Sequence, residues 1–363
     1  MSARNKQRGT RTVRQNPRAY SVPQPRTHGQ PSGRTRPEVP ALAAPPAQRV
    51  AGVTQERVDA GHAGQRVDNF LLRLLPGVPK SHVYSLLRSG QVRVDGGRVK
   101  PARRLAEGET VRVPPVRTAA RDTAGIRAPD ALVARLRAAV VHEDADYLAL
   151  AKPAGLAVHG GSGVPFGVIE VLRGARHDEF LELAHRLDRD TSGVLLLAKS
   201  RPALLRAQRA FREGRATKRY FALLCGRLAE SVDVDAALLK NRLAGGERFV
   251  AVDEQGKAAH SRFVPREHYR DATLCEVLIF SGRTHQIRVH ALALGHPVAG
   301  DRKYGTREEQ APLREAGLKR LFLHSHYLEL PADGVFPSLL VSAPLTDELR
   351  EFLGALQPTG KRR

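Results

Sequence analysis

The chain has 363 residues, with 59 Lys and Arg against 37 Asp and Glu and a formal charge of +22. Length allows two or three domains, and the charge implies a polyanionic partner, most often nucleic acid. No apolar run approaches a bilayer span, and the first 30 residues hold no secretory apolar segment. Two cysteines cannot build a disulfide framework or a four-thiolate zinc site, so a cytoplasmic protein without membrane contact is expected.

Residues 1–60 read as a disordered basic arm. The first 50 hold 10 Lys or Arg, one acid (Glu38) and 8 of the 24 prolines, with no apolar period, so they bury too little to offset their ordering entropy. From 65 to 113 the pattern changes. Val67, Phe70, Leu71, Leu74 and Leu75 recur at helical spacing until Pro76-Gly77. A second short helix is expected from Ser81 to Gly90, with Val83, Leu86 and Leu87 on one face. Val92-Arg93-Val94, a turn at Asp95-Gly96-Gly97 and Arg98-Val99-Lys100 read as a hairpin, and Thr110 to Val113 as a last strand.

Residues 114–129 carry Pro114, Pro115, Gly125 and Pro129 and read as a linker. The large domain is expected over 130–356, followed by a basic tail, 357–363. Its strand-like runs are Tyr147–Leu150, Gly193–Ala198, Tyr220–Cys225, Ser261–Val264 and Thr273–Phe280, and a helix is expected over Pro202–Gly214. The order is not a strict βαβα alternation. It predicts an α+β fold with a small α/β module followed by a domain on a mainly antiparallel mixed sheet.

Several chemistries are excluded. Gly256-Lys257 is followed by Ala258, so there is no P-loop. Val164 stands where a nucleophile elbow would need glycine after Gly161-Ser162-Gly163. Cys225 and Cys275 are isolated, no H-E-x-x-H occurs, and no dinucleotide fingerprint follows a strand. His159, His185, His285 and His290 fit hydrogen-bonding or phosphate-contacting roles better than a metal site.

Three polar segments remain, each flanked by apolar strands: Lys152–His159, His185–Gly193 and Ser281–His290. The middle one packs Asp188, Asp190, Arg186, Arg189 and His185 into a loop that feeds a buried strand, where a scaffold presents catalytic groups. A surface turn with salt bridges is the competing reading. Arg283 and Arg288 in the third segment are placed either to pair with those carboxylates or to grip phosphates.

His185-Arg186-Leu187-Asp188-Arg189-Asp190-Thr191-Ser192-Gly193 resembles the signature of the RluA family of pseudouridine synthases. Lys152–His159, Lys218-Arg219-Tyr220-Phe221-Ala222-Leu223 and Ser281–His290 resemble three further motifs of that family. Residues 65–113 resemble the S4 RNA-binding domain, on Arg66–Leu71 and Ser89–Gly96. The stretch Val158–Gly163 followed by Phe166–Glu170 is closest to RluC, the branch that modifies large-subunit ribosomal RNA. Ser281 stands where the family usually has Thr, which leaves the Gly-Arg-Thr-His-Gln core intact.

The resemblance implies isomerisation of uridine to pseudouridine in 23S ribosomal RNA. The N1–C1′ bond breaks, the base rotates, and C5 joins C1′, with no cofactor and no metal. It implies that Asp188 is the catalytic carboxylate, as a nucleophile at C1′ or C6 or as a base at the 2′ carbon. Arg283 maps onto the arginine that pairs with the aspartate, and Tyr220 onto the tyrosine that stacks on the target base. Arg186 maps onto the residue that fills the space of the flipped nucleotide. His185, Lys152, His285, Arg288 and Lys218 complete the set expected to hold RNA or its loops, and Asp190 is expected to be structural. No obligate protein partner is expected, and the chain reads as a monomer. Three alternatives stand beside this reading: a non-catalytic ribosome assembly factor, an N-glycosidic hydrolase using Asp188 with Asp190, and a sibling synthase acting on transfer RNA.

Overall fold

The computed structural model describes residues 11–14, 48–49, 52–59, 61–75, 78–118, 128–160, 166–176, 180–242 and 248–359. The chain divides into a small unit within Val22–Arg127 and a large unit comprising Ala128–Arg363 with Met1–Ser21.

In the small unit, helices Val67–Leu74 and Lys80–Arg88 bury the apolar faces expected of them, with Phe70, Leu71, Val83, Leu86 and Leu87 against Val92, Val94 and Val111. The helices are tied together by a buried carboxylate. Asp68 accepts from Arg66 at 2.6 Å and from the Tyr84 hydroxyl at 2.8 Å, and the Arg66 guanidinium holds its carboxyl below the usual range. The predicted turn is present. Asp95 and Gly96 both have positive φ, 46° and 77°, as a two-residue hairpin of primed type requires.

The expected arm over 1–60 lies mostly outside the described residues, but its described parts are strands. Arg11–Arg14 pairs in parallel with Val232–Asp235 in the large unit, and Gln48–Arg49 pairs with Arg117–Thr118, inside the expected linker. Thr54–Arg57 is an edge strand of the small unit's four-stranded sheet, paired with Thr110–Val113. The small unit therefore begins before residue 65. Thr-Gln-Glu-Arg shows no apolar alternation because an edge strand is held by backbone pairing and stays half-exposed. At the other end, Thr359 donates to the His268 carbonyl, so the expected tail is docked at least to that residue. Residues 119–127 and 360–363 lie outside the described set.

The large unit is built on an eleven-stranded sheet among the described residues. Its pairs are antiparallel except at Arg11–Arg14 with Val232–Asp235 and Ser192–Ala198 with Leu323–Leu330. All seven positions of Ser192–Ala198 are buried, because both faces are covered. Val194, Leu196 and Ala198 pack with Ala203, Leu204 and Ala207 of helix Arg201–Arg212. Leu195 and Leu197 pack with Ile169 and Leu172 of helix Val168–Ala175. A strand covered on both sides reads as an unbroken apolar run, which is how it appears in the sequence.

Two buried histidines lock the frame. His324 Nε2 stands 3.1 Å from the Ala343 carbonyl and its Nδ1 2.9 Å from Ser192 Oγ. His290 Nε2 stands 3.0 Å from the Ala236 carbonyl. Burial pushes both imidazoles down to about 4. Between the 6.5 of an ordinary histidine and that value, the unfolded chain binds protons that the folded chain does not. Stability is therefore expected to be intact above about pH 6.5 and to fall with acid, by up to about 1.4 kcal/mol per pH unit for each histidine. Urea unfolding between neutral pH and about pH 5 checks this, and a flat profile contradicts it. A second expectation concerns Gly193, at φ 107°, where a Cβ would lie 2.0 Å from the Ser325 carbonyl oxygen. Gly193→Ala should cost at least about 2 kcal/mol, seen as a lower urea midpoint at an unchanged slope.

Candidate active site

The loop from His185 to Thr191 lies between the short strand Glu182–Leu183 and the buried strand Ser192–Ala198. Leu187 is sunk in the core, so its neighbours face outward: Arg186 is exposed and the Asp188 side chain is 21% exposed. The Asp188 carbonyl accepts from Thr191 N at 3.2 Å and closes the turn. Asp190 stays on the outside of the loop, paired with Arg189.

Lys152 ends the neighbouring strand Tyr147–Lys152 and has no exposed surface. Its ammonium donates to the carbonyls of Pro153, Leu156 and Arg189 at 2.9, 2.9 and 3.1 Å. Burial lowers its pKa to about 7. Lys152 is thus a clamp on the loop and does not reach the surface, contrary to an RNA contact. His185 is tied to the strand that follows the loop: its Nε2 accepts from Leu196 N at 3.0 Å, and burial lowers it to about 4, which keeps the acceptor lone pair.

Ser281–His285 forms the opposite wall. Gln286 organises it through a fully used amide. Its Oε1 accepts from Ser281 Oγ at 2.7 Å and Arg283 N at 3.0 Å, while its Nε2 donates to the His260 carbonyl and Ser261 Oγ, both at 2.9 Å. Lys218 braces the same wall from strand Thr217–Cys225, donating to the Ser281 carbonyl at 3.2 Å. It is largely buried, and burial with the neighbouring Arg283 lowers it to about 8.

These walls enclose a cleft lined by Arg186, Asp188, Tyr220, Arg283, His285 and Arg288. Tyr220 follows a register shift in its strand and is 7% exposed. Burial pushes its hydroxyl up to about 12, with the Asp188 charge adding to the effect and a Ser325 hydrogen bond opposing it. The ring is therefore a neutral wall. A second depression adjoins Asp188, lined by Arg189, Arg302, Lys303, Lys319 and Arg320.

The charge partners of Asp188 differ from expectation. Among the described residues no ion pair joins Arg283 to Asp188. Arg283 is exposed, and its Nε donates to the Ala258 carbonyl at 3.1 Å. Among the described residues the basic side chain within 4 Å of Asp188 is His285, whose Nε2 lies 3.9 Å from Oδ2. Arg288 is not an exposed phosphate grip. It lies in helix Gln286–Ala293, buried, and donates twice to Asp301 at 2.6 Å. Its guanidinium also sits 4.8 Å from the Tyr304 ring centre. Asp301 and Tyr304 were not singled out from the sequence. The one signal for them is the need of a buried arginine for a carboxylate. Among the described residues no group of three or more His, Cys, Asp or Glu side chains is arranged to hold a metal, and no helix is long and apolar enough to cross a membrane.

Comparison with known proteins agrees with this geometry. The family model described as RNA pseudouridylate synthase matches residues 146–293, and the S4 domain model matches residues 65–111. Ribosomal large subunit pseudouridine synthase C of Pasteurella multocida is 47% identical over 302 residues, covering 83% of this chain and 93% of the relative. The protein of that name from Escherichia coli K12 is 48% identical over 304 residues, covering 83% and 95%. Among solved structures, human RNA pseudouridylate synthase domain containing 4 superposes with a TM-score of 0.53 at 25% identity, covering 64% of this chain and 97% of that one. Human RNA pseudouridylate synthase domain containing 1 gives 0.50 at 31% identity, covering 61% and 88%. With an S4 domain ahead of a pseudouridylate synthase domain, and near-half identity across most of its length, the chain belongs to the RluC branch of the RluA family of pseudouridine synthases.

Proposed function

We propose that this chain converts specific uridines of 23S ribosomal RNA to pseudouridine, with Asp188 as the catalytic carboxylate. The observation that carries the reading is a partly exposed carboxylate on a clamped loop, sharing a cleft with a buried tyrosine, in a chain of this family. The reaction is an isomerisation. N1–C1′ is broken, the uracil turns, C5 bonds to C1′, the C5 proton is lost and N1 gains one. An ionised carboxylate serves each available route: attack at C1′, attack at C6, or removal of the 2′ hydrogen.

The neighbours fit supporting roles. Tyr220 offers a neutral, buried ring as a wall for the flipped base. Arg186, exposed at the cleft rim, is placed to occupy the gap left in the RNA. Arg283, exposed and with its Nε on the Ala258 carbonyl, fits a clamp on substrate phosphate better than a standing partner of Asp188. The second depression offers further cations to the flanking backbone. The chain is read as a monomer, as its sequence suggests, since it holds no sustained heptad pattern. A cytoplasmic location follows from such a substrate.

The test is pseudouridine mapping on unmodified 23S RNA incubated with the protein and with Asp188→Asn. Discrete modified positions are expected with the protein and none with the variant, while RNA binding persists. Unchanged modification by Asp188→Asn overturns the assignment of Asp188. Tight binding with no product on 23S, small-subunit or transfer RNA returns the chain to an assembly role. Release of free uracil would instead mark a glycosidic hydrolase.

A further inference from the structure

His285 combines four features that a passive loop residue does not need. It has a left-handed backbone, φ 55° and ψ 19°, at the start of helix Gln286–Ala293. Its side chain is largely buried, at 16% exposure. Its Nδ1 lies 2.7 Å from the Tyr304 hydroxyl, and its Nε2 lies 3.9 Å from Asp188 Oδ2. Left-handed backbone at a non-glycine residue is sparsely populated and persists where the surroundings impose it. Here Gln286 imposes it by holding the preceding turn from both sides.

The tautomer of His285 follows from Tyr304. The Tyr304 oxygen already accepts from Val250 N at 3.2 Å. Burial pushes its hydroxyl up to about 12, so it keeps its proton. That proton has His285 Nδ1 as its acceptor. His285 is lowered from its ordinary value, first by burial, and is neutral at physiological pH. A neutral imidazole that accepts at Nδ1 carries its hydrogen on Nε2, and Nε2 is the nitrogen that faces Asp188.

We propose that His285 is a positioning residue for the reaction, fixed by Tyr304 as the Nε2–H tautomer and directing that hydrogen at the Asp188 carboxylate. This rests on Asp188 being the catalytic group. When a flipped uridine fills the cleft and displaces water, an ionised carboxylate needs a built-in donor. Arg283 is turned to Ala258, and Arg288 is committed to Asp301. Among the described residues, His285 is the basic side chain within 4 Å of Asp188. The gap of 3.9 Å closes to a hydrogen bond on a small movement of either side chain, as catalytic contacts do when substrate binds. The charged and titratable groups around His285 are Asp188 from the catalytic loop, Arg288 from its own helix, and Asp301, Lys303 and Tyr304 from the turn that follows.

Single-turnover rates on saturating 23S RNA test the proposal, with Asp188→Asn alongside. His285→Leu removes the donor and is expected to slow the reaction roughly 10- to 100-fold, as loss of a hydrogen bond to a charged group does, with RNA affinity unchanged. His285→Gln keeps an N–H at the same reach and should recover most of the rate. Tyr304→Phe releases the tautomer and should slow the reaction by roughly threefold to tenfold at neutral pH. That defect should shrink as pH falls through the His285 pKa, because the imidazolium carries an Nε2–H whatever Tyr304 does. A scaffold role would not produce this pH dependence. Full rate in His285→Leu, equal defects in Leu and Gln, or a pH-independent Tyr304→Phe defect overturns the proposal. If His285→Leu fails to fold, the Gln and Phe variants decide. An active Asp188→Asn would overturn the reading of Asp188 itself, whereas an inactive Asp188→Asn beside a fully active His285→Leu would overturn only the role of His285.

Discussion

The Lys152 ammonium, with no surface in contact with solvent, joins two segments that are far apart in sequence. It ends one strand, bonds the turn that follows it, and reaches across to the Arg189 carbonyl one residue beyond Asp188. The same carbonyl accepts from Gly155 N at 2.9 Å. A loop of charged residues on a basic protein would otherwise sample many conformations. Three carbonyl acceptors around one donor group restrict it to one. Burying an ammonium is tolerable only because all three donor directions are used. The geometry of Asp188 and the depth of the cleft both depend on this clamp.

A second layer of order comes from side chains that exchange hydrogen bonds inside the frame. Ser192 Oγ accepts from Arg320 at 3.1 Å and meets His324 Nδ1, while His324 Nε2 meets a carbonyl. Ser261 Oγ joins Gln286 Nε2 and His290 Nδ1. Such buried polar chains stabilise only when every member is satisfied, and they then specify one arrangement. They lie beside the two walls of the cleft, one by the loop of Asp188 and one by the turn of Arg283.

Much of this was legible in the residues. The apolar run 193–198, the Asp95-Gly96 turn and the helix Arg201–Arg212 carry strong local signals, and the structure has them. Asp188, Tyr220, Arg186 and Arg283 could be singled out by motif, and they line one cleft. The misses have physical causes. Leu323–Leu330 buries His324 and Ser325, so its polar residues hide its period. Thr54–Arg57 is held by backbone alone. Lys152 and Arg288 look like surface cations in a sequence, because nothing in a residue's type says that three carbonyls or an Asp301 await it. Asp301 and Tyr304 sit beyond the last motif and enter the site only through the tertiary fold.

The parallel pairing of Gly193 with Ser325 has a consequence for how the protein comes into being. Ser192 and His324 are 132 positions apart, so the strand that follows the Asp188 loop gains its last neighbour only late in synthesis. Contacts of such separation form slowly, since a long segment must be gathered before they stabilise anything. Until then the start of Ser192–Ala198 lacks this pairing, and the nascent domain has a reason to rely on early partners such as Tyr147–Lys152 and Glu182–Leu183. The support beneath the Asp188 loop is therefore completed late. This topology leaves the strand beside the Asp188 loop incomplete until most of the chain has been translated.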